Sequence, residues 1–206
     1  MRFTNFALAA FSMGSALAAP AVHQQQARAI ELLSTAITTV TGVQKTVEGD
    51  LKLISGLVVG VNVNTTTLVP QIEHTLLEVV SEVTKIASPV LSLVGEGVPQ
   101  LAESELQQLP QLLNGVLSIG NGIKTTVGQV VKGVSGDALT AVKPELQLVL
   151  SIVEPIAKPV VGLVQGLLGE VAPELAQELQ GLLGDVEGLL GNILAPVAGL
   201  LGGKVL

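Results

Sequence analysis

From Ile30, alternating steps of three and four residues land on Leu33, Ile37, Val40, Gln44, Val47, Leu51, Ile54, Val58 and Val61, and only Gln44 is polar. From Val69 the same steps land on Ile72, Leu76, Val79, Val83, Ile86, Val90 and Leu93. From Leu106 they land on Leu109, Leu113, Val116, Gly120, Ile123, Val127, Val130 and Val134. From Leu139 they land on Val142, Leu146, Val149, Val153, Ile156, Val160, Leu163 and Leu167. A chain this apolar meets each step by chance roughly half the time, so one run alone proves little. Four successive runs interrupted only by Gln44 and Gly120 are hard to produce that way. The period belongs to helices packed along shared seams. It predicts an all-α fold, an elongated bundle of amphipathic helices. The segment "VLSIGNGIKTTVGQVV" (residues 116–131) competes as strand, being β-branched and holding Asn-Gly, a hairpin-turn pair. The register passes through Gly120 and Gly122 unshifted, which favours helix.

Prolines punctuate the pattern. Pro70, Pro99, Pro110, Pro144 and Pro173 each precede Gln or Glu and then Leu or Ile. A first helical turn tolerates proline, because its missing N–H has no intrahelical partner there. These five positions are therefore expected helix starts. Residues 62–67 make the best loop and residues 133–137 the next, while Pro155 and Pro159 predict a kink or break. "GEGVPQLA" (residues 95–102) resembles "GEVAPELA" (residues 169–176), and Pro70 to Pro99 has the length of Pro144 to Pro173. An internal duplication with repeats 70–143 and 144–206 is the expectation, with low complexity as the alternative.

The chain closes on "GLLGDVEGLLGNILAPVAGLLGG" (residues 181–203). Gly181, Gly184, Gly188, Gly191, Ala195, Ala198 and Gly202 step by four and three, so on a helix they form one small-residue face. Leu182, Val186, Leu189, Ile193, Val197 and Leu200 form a neighbouring apolar stripe. Gly42, Gly49 and Gly56 recur by seven in the first helix. Each glycine costs a helix about 1 kcal/mol relative to alanine. Close approach of a neighbouring backbone offsets that cost where small residues pack, so Gly181, Gly184, Gly188, Gly191 and Gly202 are the candidate helix-packing face. The alternative is a loosely ordered apolar tail, which Pro196 favours locally.

Composition changes the picture at the amino terminus. Arg2 is followed by an apolar run to Phe11, and Ala16-Leu17-Ala18 fits the small-x-small pattern of signal-peptide cleavage. Residues 1–18 are read as a signal peptide cut after Ala18, leaving 19–206 as a single helical domain. Phe3, Phe6, Phe11, Met1 and Met13 all lie in the leader. The mature chain therefore has no Phe, Trp, Tyr, Met or Cys, and its core must be Leu, Val, Ile and Ala. Ten basic residues less Arg2, against seventeen acidic, give it a net charge of −8. Nucleic acid is excluded as a partner, since it needs a cationic footprint and stacking rings. Anionic headgroups are disfavoured by the same charge. Secretion without cysteine leaves buried aliphatic area as the source of stability. No later stretch is expected to span a membrane, the uncharged segments being too polar or too short.

Little chemistry is on offer. His23 and His74 are the histidines; Glu73, His74 and Glu78 share a helix, and His74–Glu78 is an i,i+4 pair. A transition metal would want more nitrogen or sulfur ligands, so a solvated face is the reading. Ser135 in "GVSG" lacks the nucleophile-elbow spacing, and no phosphate or dinucleotide loop occurs. Neither enzymatic activity nor a cofactor is expected. Asn64-Thr65-Thr66 is the glycosylation sequon, placed in the best loop.

The leader and the short, cysteine-free aliphatic body resemble small secreted fungal proteins. The opening "AIELLSTAITTVTGVQKTVEGDLKLI" (residues 29–54) is similar to the hydrophobic surface binding protein A and cell-wall mannoprotein group. The Gly/Leu-rich carboxyl third departs from that pattern. The resemblance implies a secreted protein of the extracellular space or cell wall that binds hydrophobic surfaces through amphipathic helices. A carrier enclosing a lipid-like ligand and a structural or effector protein binding a protein partner, or itself, are the alternatives.

Overall fold

The computed structural model describes residues 6–59, 65–95, 101–134 and 136–200, with side-chain surroundings for 27–58, 68–94, 101–134 and 136–193. Eight helices follow in order among the described residues: α1 (Phe6–Val59), α2 (Thr65–Thr84), α3 (Ala87–Gly95), α4 (Glu103–Leu106), α5 (Leu109–Gly133), α6 (Gly136–Ser151), α7 (Val153–Leu167) and α8 (Pro173–Leu200). Among the described residues the fold is all-α, without strand, and this decides against the strand reading of residues 116–131, which lie inside α5.

The four registers are the core. From Leu33 to Ile54 every register position but Gln44 is buried, as is every one from Ile72 to Leu93, from Leu106 to Val130, and from Val142 to Leu167. Gln44, the polar member, is half-buried and satisfied: its amide donates to Ser118 Oγ at 3.1 Å and to Glu48 Oε1 at 3.0 Å. A second bridge joins the same helices, from Ser55 Oγ to Gln129 Oε1 at 2.7 Å. These two α1–α5 bridges each span 74 residues, so the two helices run parallel in a constant register. The same 74 separates Pro70 from Pro144 and Pro99 from Pro173.

α2 and α3 make one rod broken at Lys85 and Ile86, and α6 and α7 another broken at Ile152. With α1, α5 and α8 these make five rods in a bundle. α5 packs against α1 and α8 on either side; α2 lies against α6, and α3 against α7. α1 also packs on α2 and α3, while α8 also covers α6 and α7. Three unbroken helices thus back two broken ones. The breaks have a covalent cause. A proline ring collides with the carbonyl four residues earlier and supplies no N–H to it. Pro89 places that conflict at Lys85, and Pro155 places it at Ser151. At the first break the backbone tightens to i→i−3 bonds, Lys85 N–H to Glu82 O at 3.0 Å and Ile86 N–H to Val83 O at 3.1 Å.

Two expectations about punctuation need correction. Pro110 does lie in the first turn of α5 and Pro173 opens α8, but Pro70 and Pro144 sit inside α2 and α6. Helix continues upstream of them because Leu68, and Ala138 and Val142, are buried in the preceding turns. Pro99 lies outside the described residues.

The carboxyl-terminal glycine face is also corrected. Gly181, Gly184, Gly188 and Gly191 are exposed, and a Cβ on any of them would meet nothing within 4 Å. At 100° per residue they lie opposite the stripe of Leu179, Leu183, Val186, Leu189 and Ile193, which is buried. An edge helix has one face to bury, and the aliphatic face wins because glycine has no side-chain area to remove from water. Gly42, Gly49 and Gly56 are likewise open. The close approaches are on α5 instead. A Cβ at Gly115 would collide with Val40 Cγ1, one at Gly133 with Val58 Cγ1, and one at Gly120 with Leu189 Cδ2. Gly202 and Asn64 lie outside the described residues; Ala18 is on helical backbone whose side chains are not among those described.

Candidate functional site

The two breaks lie at one level of the bundle. Val83 precedes the first and Ile86 lies in it, Val153 and Ile156 follow the second, and Val116 and Ile119 of α5 face them. Together these six side chains line a partly open void of about 10 Å³, at the lower limit of what one water fills. All six are buried. Gly120, one turn beyond Val116, shapes the wall: without a side chain it admits Val153, whose Cγ1 would lie 3.3 Å from a Cβ there.

The chemistry of this wall is uniform. It consists of methyl and methylene groups, offering dispersion contact and shelter from water but neither donor nor acceptor. Such a void stays dry. The buried polar residues among those described are Thr75 and Thr126, and the Thr75 hydroxyl is spent on the Gln71 carbonyl of its own helix at 3.0 Å.

Charge surrounds the void but does not enter it. Lys85, in the first break, pairs with Glu82, and Lys158, beyond the second, pairs with Glu154 at 2.5 Å. Where α1 meets α2, burial pushes the Asp50 carboxyl above its usual range, and the charges of Glu78 and Glu82 push the same way. His74 Nε2 lies 3.5 Å from Glu78 Oε1 with both side chains exposed, the solvated pair that the spacing suggested. Among the described residues no group of three His, Cys, Asp or Glu is placed to hold a metal. Against the expectation that no later stretch would qualify, Gly136–Leu167, α6 with α7, is long and apolar enough by composition to cross a membrane. Half of its most apolar window is buried in this bundle, where it forms a wall of the void.

None of the residues singled out by sequence lines the void as a site. Val83, Ile86, Val116, Val153 and Ile156 were marked only as register positions, and Ile119 was not marked at all. The usable signal was the pair of prolines, Pro89 and Pro155, each a few residues downstream of a wall residue in two different registers.

No protein-family model and no curated protein matches the chain. Among solved structures, the chain is similar to the crystal structure of AFMP4P in complex with palmitic acid, at 9% identity and a TM-score of 0.51. The similarity covers 80% of this chain and 99% of that one. At that identity it bears on the fold, and it agrees with the all-α bundle.

Proposed function

We propose that this chain is a non-enzymatic binder of lipid-like, aliphatic molecules, exported by way of residues 1–18 and acting in the extracellular space or cell wall. The observation that carries the binding reading is the aliphatic void where two proline-broken rods meet. A void of about 10 Å³ is too small for an acyl chain, so uptake requires the rods to part. Two features make parting affordable. The first break has already exchanged regular helical hydrogen bonds for i→i−3 ones at Lys85 and Ile86, and each methylene brought in from water returns roughly 0.8 kcal/mol. The likeness to a fold solved with palmitic acid supports a chain-shaped ligand. Native mass spectrometry of gently purified protein should show an aliphatic adduct. Titration of the delipidated protein with palmitate should then saturate. Absence of both adduct and saturable binding contradicts the reading.

Adsorption to hydrophobic surfaces is the second reading, and the resemblance of residues 29–54 points to it. Leu53, Leu77, Leu91 and Leu148 are large aliphatic side chains left exposed, Leu53 by 62%. Parted rods would add their inner faces to that area. Adsorption to polystyrene or wax that exceeds an acidic globular control and persists at high salt supports it, because charge attraction is then not the driver.

A further inference from the structure

We infer that the ligand is selected by its hydrocarbon chain and not by its headgroup: the void between α2–α3 and α6–α7 takes an aliphatic chain whose polar end stays in solvent. This rests on the carrier reading above and adds to it the class of molecule carried.

Three observations converge. The first is the wall itself. Val83, Ile86, Val116, Ile119, Val153 and Ile156 present no polar atom to the void, so a carboxyl, hydroxyl or ester drawn inside would lose its water without replacement, a penalty that neutral and charged heads alike avoid by staying out.

The second is the mouth. Lys85, in the first break, and Lys158, beyond the second, are each engaged by a glutamate of their own rod, Glu82 and Glu154. The chain as a whole carries a net charge of −7. A fatty carboxylate therefore finds Lys85 and Lys158 already paired and meets a weakly repulsive field.

The third is the way in. Among the described residues, side-chain hydrogen bonds cross from α1 to α5, at Gln44–Ser118, Ser118–Glu48 and Ser55–Gln129, and from α7 to α8, at Gln165–Glu187. Among the same residues none crosses from α2–α3 to α6–α7. Both rods of that seam are broken beside the void. The seam parts without breaking a polar contact, and the polar end of an entering chain is left at its outer edge.

The test uses three ligands with the same sixteen-carbon chain: palmitate, hexadecanol and methyl palmitate, each titrated into delipidated full-length protein by displacement of a fluorescent probe. The expected dissociation constants agree within about threefold, less than one charge-assisted hydrogen bond would separate. Added salt should tighten palmitate alone, by screening the protein's negative charge. A preference for palmitate over hexadecanol of about tenfold or more, or palmitate binding weakened by salt, overturns the inference while leaving the carrier reading in place. Failure of all three to bind overturns the carrier reading instead. Ile156→Ala, which enlarges the void, should shift all three affinities by the same factor. If that variant folds and shifts one ligand only, or none, the chain lies elsewhere and the inference fails.

Discussion

The seam between α1 and α5 and the seam between α2–α3 and α6–α7 bury the same kinds of side chain, yet they are held differently. Along the first, two unbroken helices run parallel, with Gly115 and Gly133 of α5 seated beneath Val40 and Val58 of α1. Gln44–Ser118 and Ser55–Gln129 tie the two helices at two levels. Along the second, both rods are interrupted, the interruptions coincide, and the packing around them leaves a void. Aliphatic burial alone is non-directional. What separates a clamp from a gate in this bundle is glycine fit, hydrogen bonding and helix continuity. The contrast also assigns work to each layer: the clamp keeps the molecule assembled while the gate moves.

The largest expected effect comes from mending the gate. Pro89→Ala and Pro155→Ala restore an N–H to each rod and remove the ring clash, for a gain of up to about 3 kcal/mol per site if the helix becomes continuous. Chemical denaturation should show the gain, and stopped-flow mixing with palmitate should show slower uptake. A double variant with unchanged stability and unchanged uptake would mean that the breaks do not govern opening.

Next comes the clamp. Gly115→Ala forces a methyl into Val40, at about 1–3 kcal/mol, offset in part by the roughly 1 kcal/mol that alanine gains over glycine in a helix. The same substitution at Gly184, Gly188 and Gly191 meets only solvent, so the triple variant should be more stable by about 1 kcal/mol per site. Opposite signs are the expected outcome of paired thermal or urea melts. Equal signs would erase the distinction between packed and open glycines.

The smallest effect concerns charge beside the α1–α2 contact. Because the folded state raises the Asp50 carboxyl pKa, through burial first and then Glu78 and Glu82, it binds a proton there more tightly than the unfolded chain does. Asp50 therefore disfavours folding at neutral pH, and that penalty is relieved as pH falls through the carboxylate range. Asp50→Asn should stabilise by ~0.5 kcal/mol at neutral pH, since the group is partly exposed and screened. The gain should shrink at pH 4 and in high salt. A loss of stability at neutral pH would show that the carboxylate has a favourable partner.

The fold was largely legible in the sequence because its core is periodic. Positions such as Ile72, Leu76, Val79 and Val83 were fixed by the steps of three and four, and they are buried. Periodicity does not say which of two opposed stripes faces inward. That is why the Gly181–Gly184–Gly188–Gly191 stripe was taken for a packing face: spacing identifies a stripe, and side-chain area decides its direction. Proline was misread at Pro70 and Pro144 because burial of Leu68 and Val142 carries the helix past the point where local cost would start it. The void was not legible beyond the prolines that break the two rods. Val116 and Val153 are ordinary register members, and in an all-aliphatic core a pattern of apolar positions is the same whether the packing closes or leaves a gap. Only the joint effect of Pro89 and Pro155, visible once the rods lie side by side, distinguishes them.

Native-state hydrogen exchange on the ligand-free protein tests the gate-and-clamp account most directly. Amides of residues 83–90 and 149–157 should exchange through local opening, about tenfold or more faster than those of residues 40–58 and 112–130, a difference of ~1.4 kcal/mol in opening free energy. Addition of palmitate should then protect the first set selectively. Uniform exchange across all four segments, or earlier opening of 40–58 and 112–130, would contradict the account.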